Sequence, residues 1–203
     1  MGNLPPMSEE EANCRAWLQE RGCTPGDLRS DIRAATICKE RPPHICPLAL
    51  ACFEGELKVC KWLFDHGAAG DVSKVDADLS FTPMLYACWG GHLPVCKWLF
   101  EVGAAADISR AGANNVTPMF VACGCGHESI YRWLFEMGAT RDIIRATNNG
   151  NTPMLMACKY GRLSACRWLC DVGGAADITR SNNDGNSPVL IACQEGRLSV
   201  CEW

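Results

Sequence analysis

The sequence repeats itself. Pro47, Pro83, Pro118, Pro153 and Pro188 recur at a step that settles to 35 residues, and Trp62, Trp98, Trp133, Trp168 and Trp203 keep the same step. So do Ala51, Ala87, Ala122, Ala157 and Ala192, each followed directly by a cysteine, and the glycines Gly55, Gly91, Gly126, Gly161 and Gly196. A unit of this size cannot bury its apolar surface alone, so neighbouring copies must cover it on both sides. That requirement excludes a globule with a single centre and predicts an elongated stack.

The columns predict how one unit folds. Thr82-Pro83 is a helix start, with threonine as N-cap and proline at the first helical position, where its missing N–H costs nothing. Ala87 and Cys88 place small side chains where helices approach closely. Gly91 breaks this first helix and permits a turn into a second, from Leu93 to about Glu101, which Pro94 can open. Val95, Trp98, Leu99 and Val102 share one face of the second helix, widened by Cys96 and Phe100, which leaves Lys97 and Glu101 for solvent. Gly103 ends it. From Asp107 to Asn115 the Asn, Gly and Ser residues are turn formers that lead to the next unit.

This arrangement resembles the ankyrin repeat, with its Thr-Pro start, Gly-His turn, leucine-rich second helix and Gly-Ala ending. Thr82-Pro83, Gly91-His92 and Gly103-Ala104 match in place, and the resemblance covers residues 46 to 203. It implies an all-α, ankyrin-type solenoid of helix–turn–helix repeats joined by hairpin loops, with partners bound on the concave face. The family period is about 33 residues, so the extra length here falls between Gly103 and Thr117 and lengthens the hairpin. The family's histidine gives way to Ala49, Leu85, Phe120, Leu155 and Leu190, so its hydrogen bonding is lost or supplied otherwise.

Residues 1–7, with Pro5-Pro6, are expected to be a flexible tail, and 8–45 a divergent helical cap. Ser8-Glu9-Glu10-Glu11 starts a helix to about Arg21 as a capping box, and Asp27 to Glu40 is expected to form another, stopped by Pro42-Pro43. The array then runs through units 46–81, 82–116, 117–151, 152–186 and 187–203. The last unit stops without the Gly-Ala ending, which predicts a fragment of a longer protein whose final helix frays.

A net charge of −4 gives no global attraction to nucleic acid. No apolar run reaches membrane-spanning length, and the start lacks the pattern of a secretory signal. Fifteen cysteines without that signal are expected to be reduced thiols. The expectation is therefore a monomer in the cytoplasm or nucleus, with a protein partner and no cofactor.

Chemical sites are sparse. Cys123-Gly124-Cys125-Gly126-His127 is the most suggestive cluster for zinc, which wants about four soft ligands. Yet Cys123 and His127 belong to repeat columns, and no second ligand pair accompanies them. The recurring cysteines read as small core hydrophobes. His92 and Cys96 lie one helical turn apart but have no orienting third residue. No catalytic or metal-binding residue is assigned, and the chain is read as a non-enzyme. The alternatives are a regulatory or targeting fragment of a larger enzyme and, further off, a thiol or metal sensor.

Binding residues are expected where columns vary. The end of the first helix reads Phe53-Glu54, Trp89-Gly90, Gly124-Cys125, Lys159-Tyr160 and Gln194-Glu195, and the residue before the helix cap reads Ile45, Phe81, Val116, Asn151 and Asn186. Exposed aromatic side chains are good anchors. The candidates are Phe53, Phe81, Trp89 and Val116, with Lys159 and Tyr160 at the edge. A basic column, Lys74, Arg110, Arg145 and Arg180, is either a rail for an acidic partner or a set of internal pairs with Asp71, Asp107, Asp142 and Asp177. The faithful recurrence of the acid favours pairing.

Overall fold

The computed structural model describes residues 8–21, 32–33 and 44–203. Helix α1 (Glu9–Glu20) starts as expected, the Ser8 hydroxyl accepting from the Glu11 amide at 3.1 Å. Cys14, Trp17 and Leu18 face inward, and Arg21 bridges to Glu54 at 2.7 Å. The helix expected from Asp27 to Glu40 does not hold at its described residues. Ile32–Arg33 (β1) is extended and pairs antiparallel with His44–Ile45 (β2), so no helix runs through it. Two extended residues paired with another segment use backbone groups that a helix would need internally. The rest of that segment, like the expected tail 1–7, lies outside the described residues.

From Pro47 the chain alternates between two rows of helices. The inner row is α2 (Pro47–Glu54), α4 (Pro83–Gly90), α6 (Pro118–Cys125), α8 (Pro153–Lys159) and α10 (Pro188–Gln194). The outer row is α3 (Leu57–Asp65), α5 (Leu93–Leu99), α7 (Glu128–Glu136), α9 (Leu163–Leu169) and α11 (Leu198–Glu202). Each inner helix packs on the next inner helix and on its own outer helix, so the core runs as a strip along the stack. This is an all-α solenoid of helix–turn–helix units.

Local chemistry sets the starts. Thr82, Thr117, Thr152 and Ser187 accept from the amide three residues on at 3.2–3.3 Å, with proline following each. The hydroxyl satisfies a donor that the first turn would otherwise orphan. In the first unit Cys46 stands there and makes no such bond. Gly91 closes α4 at φ +85°, a conformation that a side chain would strain.

Two ladders tie the outer row and the core. Phe64 meets Trp98 edge-on at 5.8 Å, Phe100 meets Trp133 at 5.9 Å, and Phe135 meets Trp168 at 5.7 Å. Each of the first three units thus inserts a ring against the tryptophan of the next, and the fourth has Cys170 in that place. Within units, thiols face each other across the helix pair: Cys52–Cys60 at 3.7 Å, Cys88–Cys96 at 3.8 Å, Cys158–Cys166 at 3.6 Å and Cys193–Cys201 at 3.5 Å. In the third unit Tyr131 takes the outer position, lies 4.5 Å from Trp168, and leaves Cys123 against the Met119 sulfur.

The long connections also dock on one another. The Ala113 amide donates to the Leu79 carbonyl, Asn148 to Asn114 and Asn183 to Asn149. The Asp76 carboxylate organises the first of them, accepting from the amides of Asp78, Leu79 and Phe81 and from the Tyr86 hydroxyl. In later loops Thr147 and Asn182 hold the equivalent turn. Side-chain acceptors in the hairpins thus supply hydrogen bonds that hold these loops in the absence of the family's histidine.

Candidate protein-binding groove

The residues at the ends of the inner helices form one column: Phe53, Trp89, Gly124, Lys159 and Gln194. Four positions carry a side chain and one does not. Opposite Gly124 the column is therefore open, and a groove of about 510 Å³ lies there. The hairpin before α4 supplies Leu79 and Phe81, and α4 supplies Trp89. From α6 come Phe120, Val121 and Cys125 beside Gly124, and from α8 Met156, with Tyr160 just past its end. Arg162, in the turn before α9, forms the lip. Phe120 and Trp89 are on successive inner helices, so the groove crosses units two to four.

The aromatic wall is braced from behind. Trp89 is half-buried, 5.5 Å from Phe53 and 6.2 Å from Phe81, and it stacks near Tyr86 at 6.4 Å. Tyr86 is itself buried and held by Asp76 at 3.1 Å. Phe81 presses on the next hairpin: a Cβ on Gly112 would lie 2.5 Å from its ring. Such edge-to-face contacts fix ring orientation and add about 1 kcal/mol each beyond area burial. The wall is thus pre-formed, and a ligand need not order it.

The expected binding residues divide accordingly. Phe81, Trp89 and Tyr160 come together in the groove, although Phe81, expected as an exposed anchor, is only 7% exposed and shows mainly its edge. Burial follows from its double duty as wall and hairpin core. Phe53 supports Trp89 from behind and does not line the groove, and half-buried Val116 also lies outside it. Lys159 sits at the edge with its ammonium 5.9 Å from the Tyr160 ring. Phe120, Val121, Met156, Cys125 and Arg162 were not anticipated. The signal for two of them is the column Leu50, Tyr86, Val121, Met156 and Ile191, whose apolar residues are buried in the first two units and half-exposed in the last three.

The basic column forms internal pairs. Lys74 lies 3.8 Å from Asp71, while Arg110, Arg145 and Arg180 each lie 3.5 Å from the aspartate three residues earlier. Each arginine also donates to the preceding connection, at Ser73, Ser109 and Ile144 carbonyls respectively. A second ladder was missed in the sequence. The His127 Nε2–H donates to the Trp89 carbonyl at 3.1 Å, Arg162 to Gly124 at 3.3 Å and Arg197 to Lys159 at 3.0 Å. These turn residues cap the carbonyl ends of the preceding inner helix, where a cation is favoured.

The Cys123–His127 segment scatters its donors: Cys123 turns into the core, Cys125 into the groove, and His127 back to unit two. Among the described residues no group of three or more His, Cys, Asp or Glu side chains is placed to hold a metal. Burial pushes the Cys125 thiol up, and the Arg162 guanidinium pulls it down in part. Among the described residues, no helix is long and apolar enough to cross a membrane.

Family models for ankyrin repeats match this same stretch. The model described as ankyrin repeats in three copies covers residues 103–181 and 140–203, and that described as ankyrin repeats in many copies covers 48–100. The chain belongs to the ankyrin repeat family. A search of the curated proteins finds no match. Ankyrin repeats generally serve as protein–protein interaction modules, and this chain shares that architecture across units one to five.

Proposed function

We propose that the chain is a non-catalytic interaction scaffold that seats a segment of a partner protein in the groove of units two to four. The observation that carries this reading is the gap at Gly124 between Trp89 and Lys159, walled by braced aromatic and aliphatic side chains. Solenoids use constant positions to hold the stack and variable ones to meet partners. The bonds of Arg110, Arg145 and Arg180 support reading the basic column as part of the first class, and the groove residues as part of the second. A pocket with one side chain missing from a regular column accepts a bulky side chain from outside, which is how interface anchors gain affinity.

Two substitutions test this from opposite directions. Trp89→Glu removes the wall and puts a charge in it. Gly124→Leu fills the gap, and its Cβ would meet Met156 at 3.5 Å and Tyr160 at 3.8 Å, both ordinary contacts. Proteins retained by the wild-type chain in affinity capture should be lost with both variants while far-ultraviolet circular dichroism stays unchanged. Retention of the same proteins by both variants would refute the placement.

A further inference from the structure

Resting on this groove reading, we propose that its occupant is a peptide segment in which a bulky apolar side chain is followed closely by a carboxylate. The apolar part answers to the walls, where no acidic side chain is present and polar atoms are few. The carboxylate answers to the lip. Arg162 is exposed and uses Nε on the Gly124 carbonyl at 3.3 Å, which holds its stem beside Gly126. Among the described residues no carboxylate pairs with it, nor with Lys159, whose ammonium rests near Tyr160. The contrast with the hairpin column is informative, since there every arginine has its own aspartate.

An ordered guanidinium at the lip, with the Lys159 ammonium 5.9 Å from the Tyr160 ring that lines the slot, matches a carboxylate by charge and by fork geometry. The whole chain carries a net charge of −4, so long-range steering does not attract an acidic ligand. The preference must come from contact at the lip, where a Debye length of about 8 Å confines it at physiological salt. The same feature sets register: the apolar side chain enters opposite Gly124 and the acid falls toward Arg162.

Panning a random-peptide display library on the full chain, with the Trp89→Glu variant as counter-selection, tests the inference. Enriched peptides should carry Asp or Glu beside Trp, Phe, Leu or Met. Their affinity should fall about tenfold with Lys159→Glu, and similarly with Arg162→Glu, and should weaken as salt rises. Lys159→Glu guards against the loss of the Arg162–Gly124 bond, because the Lys159 side chain holds no backbone group. Enriched peptides that depend on Trp89 but ignore both charge reversals would overturn the acidic occupant and leave the groove standing. Peptides indifferent to Trp89→Glu, or no enrichment over the counter-selection, would overturn the groove reading itself. A single-stranded oligonucleotide that displaces the peptides and is lost with Trp89→Glu would replace the peptide by nucleic acid.

Discussion

Asp142 carries a carboxylate where water hardly reaches. Its residue is 3% exposed, Oδ1 lies 3.5 Å from Arg145, and Oδ2 has no hydrogen-bond partner among the described residues. Burial raises its pKa above the ordinary 3.8, while the Ser109 hydroxyl and Arg145 pull it back in part. The sign follows from linkage: a carboxyl held more tightly protonated in the folded state stabilises it fully below 3.8, and that contribution disappears as pH rises through the raised value. Asp142→Asn should therefore flatten this acid-side gain, seen as a converging difference between wild-type and variant urea midpoints across a pH series. Parallel curves would contradict the assignment. Asp177 repeats the arrangement one unit on, and burial pushes it up too. That both retain an arginine within reach shows why the column's bases serve the fold: without them a buried charge would cost several kcal/mol.

At the scale of elements, the outer helices are held together by rings more than by charge. Trp133 is 7% exposed and receives Phe100 from the preceding unit at 5.9 Å. Trp133→Ala should cost about 3–5 kcal/mol, the usual range for deleting a buried large aromatic. Because the ring spans two units, the loss should weaken α5 as well as α7, and hydrogen exchange should show both helices opening. An effect confined to α7 would mean that the Phe–Trp ladder does not couple the units. The buried thiols play a quieter part. Burial lifts the Cys46, Cys52, Cys88 and Cys123 thiols above their ordinary range, Cys46 to about 11, so they persist as protonated hydrophobes.

At the scale of the molecule, stability is a sum over neighbours, so it should fall off where a unit has fewer of them. Helix α11 packs on α9 and α10, but Leu198 is 73% exposed and Val200 alone is buried. In this chain, amides 197–203 should exchange with protection factors well below those of α6 and α7, and equal protection would refute nearest-neighbour stability here. The architecture was legible in the sequence because spacing encodes it: proline after a hydroxyl starts each inner helix, glycine ends it, and small residues mark close approach. Part of the groove was legible for the same reason, through Phe81, Trp89 and Tyr160 in the variable columns. What the sequence could not decide was depth. Phe53, Phe81 and Trp89 look alike along the chain, yet one braces, one forms wall and hairpin core, and one faces the groove, because ring packing across units sorts them. The extended pair at Ile32–Arg33 escaped for a related reason, since pairing with His44–Ile45 is a contact between segments and leaves no local periodicity. The sequence by itself determined the repeat, its helix ends and its stacking. Only the tertiary structure decided that the missing side chain at Gly124 becomes a groove and that Arg162 closes it, because both depend on what the neighbouring units place beside them.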